Sequence, residues 1–120
     1  MRANPNIKNY LNRTALNYSS RYGFIEIVKL LLKNGANSNI DNIINESSPL
    51  MAASEFGHLG VVKLLIEYGA VVSFKCFNKK TALNLAEENK HGDIAKVLRS
   101  ELKNIKNENI DNISSYKKWL

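Results

Sequence analysis

Cysteine is nearly absent from this chain: Cys76 is the single one among 120 residues. An internal disulfide is therefore impossible, which suits a reducing compartment such as the cytoplasm. Long apolar runs are missing too. Those present, such as Leu30-Leu31-Leu32 and Val61-Val62, fall far short of the ~20 apolar residues of a membrane span. The opening stretch Met1 to Asn6 has no apolar signal core, which argues against export by the general secretory route.

The chemistry-bearing motifs are lacking as well. Gly57-x-x-Gly60 has no strand before it and lies in a helix turn, so it does not cradle a phosphate. Glu87 and Glu88 are adjacent on a helix and point about 100° apart, so they do not form an acid–base pair. His58 and His91 have only one distant cysteine for company, too few groups for a metal site, and are expected to bond to local backbone. No catalytic residue, cofactor or metal is read from the sequence.

The net charge is +6, and its distribution decides what it means. Residues 1–35 hold six basic residues and one acidic; residues 36–68 hold one basic and four acidic. Two further basic segments follow. A nucleic-acid surface needs a continuous basic face, and here an acidic middle interrupts it, so nucleic acid is not the expected partner. Heavy use of Asn, Ile and Lys looks like AT-rich coding.

What the chain has is a repeat. Thr14-Ala15-Leu16, Gly23 and Asn34-Gly35-Ala36 are followed by Ser48-Pro49-Leu50, Gly57-His58 and Tyr68-Gly69-Ala70. A third copy opens at Thr81-Ala82-Leu83. Gly23 to Gly57 and Gly35 to Gly69 are each 34 residues. Such a period marks stacked units, none of which buries its apolar face alone. Each copy reads as a short helix, a tight turn, a longer helix and an extended finger. Thr14, Ser48 and Thr81 are N-caps, with Pro49 at the first helical position. Second helices run from Ile25 to Asn34, from Leu59 to Tyr68 and from Asp93 onward, with apolar residues at helical spacing. Gly35 and Gly69 stop the first two. Ser19, Ala53 and Ala86 are small because paired helices approach closely there.

These residues resemble the ankyrin repeat family, whose pattern is Thr-Pro-Leu-His-x-Ala-Ala, two variable residues, Gly-His, an apolar helix, then Gly-Ala-Asp. The likeness covers about residues 3–100. It implies an all-α solenoid of three helix-turn-helix repeats with short β-hairpin-like fingers: a finger-only partial repeat at 1–12, repeats at 13–46, 47–79 and 80–104, and a tail or short capping helix at 105–120. There are departures. The family histidine of the first helix is Asn17, Met51 and Asn84, which alters its bond to the opening hydroxyl. Lys90 replaces the third turn glycine and Lys79 a finger glycine. Leu102 replaces the third stop glycine, so that helix is expected to run on.

The resemblance implies a non-catalytic module that binds another protein through finger tips and the last residues of each first helix. Carried over by position, the first-helix residues are Arg21 and Tyr22, Glu55 and Phe56, with Glu88-Asn89 in the third copy. The fingers supply Tyr10, Leu11, Ile43, Ile44 and Phe77, with Arg13 and Lys80 opening their repeats. Aromatic residues thus recur along a concave strip, the alternative being that Ile43 and Phe77 pack on neighbouring fingers. The coding bias matches intracellular bacteria and large DNA viruses, where such proteins often engage host factors, so a host protein is one expected partner and host cytoplasm one expected location. Because the chain opens mid-repeat, a remnant or fragment of a longer array is the competing expectation.

Overall fold

The computed structural model describes residues 4–9, 13–39, 47–76 and 78–117, with side chains to residue 108. Six helices form among them: α1 (Ala15–Tyr22), α2 (Ile25–Lys33), α3 (Pro49–Phe56), α4 (Leu59–Glu67), α5 (Ala82–Glu88) and α6 (Gly92–Lys117). They pair as α1/α2, α3/α4 and α5/α6. First helices stack as α1 on α3 on α5, and second helices as α2 on α4 on α6. This is the helical solenoid that the resemblance implies. No strand occurs among the described residues. The finger bases close instead on backbone bonds such as Asn9 N–H to Arg13 O at 2.9 Å and Cys76 N–H to Lys80 O at 3.1 Å.

Each first helix begins where its hydroxyl residue accepts a backbone N–H three residues on: Asn17 N–H to Thr14, Met51 N–H to Ser48 and Asn84 N–H to Thr81, each at 3.2 Å. In the third copy Asn84 also accepts from the Thr81 N–H and hydroxyl, so asparagine keeps a bond to the opening hydroxyl there. Asn17 does something else. Its side-chain amide donates to Ser47 O at 2.7 Å and ties the first repeat to the second. The second helices α2 and α4 end as expected at Gly35 and Gly69. Ala36 N–H reaches Leu31 O and Ala70 N–H reaches Leu65 O, the six-to-one bonds of a Schellman stop.

The core is one continuous seam. Leu16, Val28 and Leu32 meet Leu50, Met51, Val61, Val62 and Leu65, which meet Ala82, Ala86, Ile94, Ala95 and Leu98. Ser19, Ala53 and Ala86 are buried between paired helices, as their size requires. One element is longer than expected. The third long helix does not give way to a separate cap or a frayed tail after Leu102 but continues to Lys117. Nothing stops it: no glycine or proline occurs between Asp93 and Lys117. No helix among the described residues is long and apolar enough to cross a membrane.

Candidate functional site: the concave strip and the joints beneath it

The strip rests on joints between repeats. His58 Nε2 lies 2.9 Å from Arg21 O, and His91 Nε2 lies 3.0 Å from Glu55 O. A carbonyl only accepts, so Nε2 carries the proton in both rings. The expected bond to backbone is thus present but is not local; each histidine reaches back to the preceding repeat. Sequence spacing within one copy cannot show a bond that spans 37 or 36 residues.

The same joint explains the turn glycines. Gly23 and Gly57 adopt φ of 75° and 84°, where a Cβ is strained. A Cβ on Gly57 would also sit 2.7 Å from His91 Cε1, and one on Gly23 would strike the His58 ring. Lys90, at the equivalent third turn, keeps the left-handed φ of 61°, as the departure from glycine implied. Lys79 does the same in its finger at φ 64°.

The base of the fingers is tied by asparagines. Asn6 Oδ1 accepts from Asn37 N–H at 2.7 Å while its amide donates to Gly35 O. One repeat on, Asn39 Oδ1 accepts from Val71 N–H at 2.9 Å and its amide donates to Gly69 O at 3.0 Å. Asn6 and Asn39 were legible as equivalent positions, each three residues after an alanine, Ala3 and Ala36. Coding bias, read from total asparagine content, obscured that spacing.

On this frame the strip residues take separate roles. The Arg21 guanidinium lies over the Phe56 ring, 5.2 Å from its centroid. Arg21 Nε is buried without a hydrogen bond among the described residues, so stacking sets the pose. Phe56 remains 48% exposed. Glu55 is half-buried, its carbonyl held by His91. Lys80 pairs with Glu88 at 2.9 Å, and that bonded carboxylate raises the Lys80 ammonium above its ordinary value. Arg13 sits at a finger base with its guanidinium 5.9 Å from the Tyr18 ring. Tyr22 is exposed but turns to Phe24, ring centroids 6.1 Å apart. Tyr10, Leu11, Ile43, Ile44 and Phe77 lie outside the described residues.

Sequence reasoning passed over a second surface. Phe24, at the start of α2, and Ile27 and Leu30 on it are 54%, 48% and 63% exposed. By the repeat, Phe24 stands where His58 and His91 stand, and Ile27 where Val61 and Ile94 stand. Alignment of the three copies carried that signal.

No cluster of three His, Cys, Asp or Glu able to hold a metal occurs among the described residues. A family model described as ankyrin repeats, in three copies, matches residues 37–111, and a single ankyrin repeat matches residues 11–43. The chain is also 35% identical over 99 residues to a glycerophosphocholine phosphodiesterase of Schizosaccharomyces pombe. That alignment takes in 82% of this chain but spans only 9% of the length of that relative.

Proposed function

Because the chain belongs to the ankyrin repeat family, whose repeats generally mediate protein–protein binding and are typically non-catalytic, we propose that it binds another protein through its concave strip. The observation that carries this reading is the half-exposed Phe56 ring lying beneath Arg21. A planar cation over an aromatic ring offers an apolar surface with a charged edge, the composition of binding hot spots. Glu55 and the Lys80–Glu88 pair lie on neighbouring parts of the strip and set charge preference at the rim. By repeat position this reading also assigns Tyr10, Leu11, Arg13, Ile43, Ile44 and Phe77 to the partner, while Tyr22 turns away to Phe24. A host protein is the partner class, and cytoplasm the compartment, that the coding bias and the single cysteine support.

The test is a paired pull-down from a host lysate with the wild-type chain and with Phe56→Ala. Circular dichroism is the fold control, because Phe56 lies outside the buried seam. Specific partners should disappear with Phe56→Ala while helicity stays. Retention of every specific partner would place binding elsewhere.

A further inference from the structure

We propose that the N-terminal end of the stack, built from Ile27 and Leu30 of α2, Phe24 at its start and Tyr22 of α1, docks an amphipathic helix of a partner protein whose apolar stripe is flanked by Asp and Glu. This surface is separate from the Arg21–Phe56 centre of the concave strip and does not depend on that reading.

The repeat itself shows what this face fits. In the second and third copies the residues equivalent to Ile27 are Val61 and Ile94, 2% and 0% exposed. Helices lie on them: α4 packs on α2, and α6 on α4. Ile27 presents the same surface while 48% exposed. Phe24, Ile27 and Leu30 recur every three residues on one side of α2, and Tyr22 stands beside Phe24. A helix with apolar residues at three- and four-residue spacing matches this stripe, as helices do along the rest of the stack.

Charge selects among helical occupants. Apart from Arg21, which lies over Phe56 on the strip, residues 4–35 carry Lys8, Arg13, Lys29 and Lys33 against Glu26 alone, and Glu26 pairs with Lys29 at 3.5 Å. A helix flanked by carboxylates is complementary to this surplus. A second copy is not. Its own N-terminal end brings the same positive surplus, and its C-terminal end shows Asn84, Glu87 and Arg99, an exposed polar surface. A further repeat stacked in register is disfavoured by Phe24. At both internal joints this position is a histidine that donates to a carbonyl of the layer before it. A phenylalanine has no donor and would leave that carbonyl facing a ring.

The probe is a fluorescein-labelled peptide of about 18 residues, long enough for helix formation to be marginal in isolation. It carries leucines at helical spacing flanked by glutamates; a control carries lysines instead. Anisotropy titrations at low salt compare both peptides on the wild type, Ile27→Gln, Leu30→Gln and Phe56→Ala. The glutamate peptide should bind the wild type at least about tenfold more tightly than the lysine peptide. Ile27→Gln and Leu30→Gln should each weaken it several-fold with unchanged circular dichroism, and Phe56→Ala should not. Using two polar variants covers the case in which one fails to fold. Equal binding of the two peptides, or binding undiminished by both variants, would overturn the proposal. So would concentration-dependent dimerisation in sedimentation that Ile27→Gln abolishes, since the occupant would then be a second copy.

Discussion

The two ends of the stack are built from equivalent helices and end in opposite ways. At the C-terminal end, Asn84, Glu87 and Arg99 take the places held by Met51, Ser54 and Ile66 one repeat earlier, where the next layer covers them. Glu87 and Arg99 are about half exposed and face each other at 3.7 Å. At the N-terminal end, Phe24, Ile27 and Leu30 stay apolar although exposed. Solvent selects polar side chains wherever a repeat face meets only water. Among the described residues one end therefore carries a polar surface and the other an apolar one.

The sharpest way to break this comparison is at an internal joint. Gly57→Ala should cost about 2–3 kcal/mol, because a Cβ is strained at positive φ and must push the His91 ring off the Glu55 carbonyl. Urea denaturation measures it. A loss no greater than that of Gly35→Ala, whose Cβ would meet nothing within 4 Å, would show that the histidine contact contributes no stability.

The next comparison substitutes one repeat position in two copies. Val61→Ala removes fully buried methyl groups and should cost about 2 kcal/mol. Ile27→Ala at the exposed end should fall within about 0.5 kcal/mol. Equal losses would mean that Ile27 is covered in solution.

Asn39→Ala removes two hydrogen bonds between finger bases and should lower stability by about 1–2 kcal/mol. A similar midpoint for mutant and wild type would show that water replaces the amide.

The smallest expected effect lies at the C-terminal end. Lys90→Gly should raise stability by about 1 kcal/mol, because glycine relieves the left-handed strain at φ 61°. A lower denaturation midpoint would show that the lysine side chain makes a compensating contact.

Much of the fold could be read from local rules. Thr14, Ser48 and Thr81 open the first helices because their hydroxyls reach an N–H three residues away, and Gly35 and Gly69 close the second helices α2 and α4 because one left-handed residue ends a helix. Lys79 and Lys90 were recognisable at glycine positions, and both adopt positive φ. The candidate site was less legible. Arg21 and Phe56 belong to different copies, and their stacking depends on the distance between layers. Tyr22 was expected beside Phe56 on the strip, and it turns to Phe24 at the end of the stack.

Caps and stops were legible in the chain alone, since each depends on residues a few positions apart, and the period was legible from the recurrence of Gly23 at Gly57 and Gly35 at Gly69, 34 residues on. Only the tertiary structure decided the joints. His58 to the Arg21 carbonyl, His91 to the Glu55 carbonyl, Asn17 to Ser47 and Asn39 to Val71 all join residues about thirty or more apart. It also decided which apolar residues are core. Ile27, Val61 and Ile94 are alike in sequence, and what separates them is whether a helix layer lies on the side that each one faces.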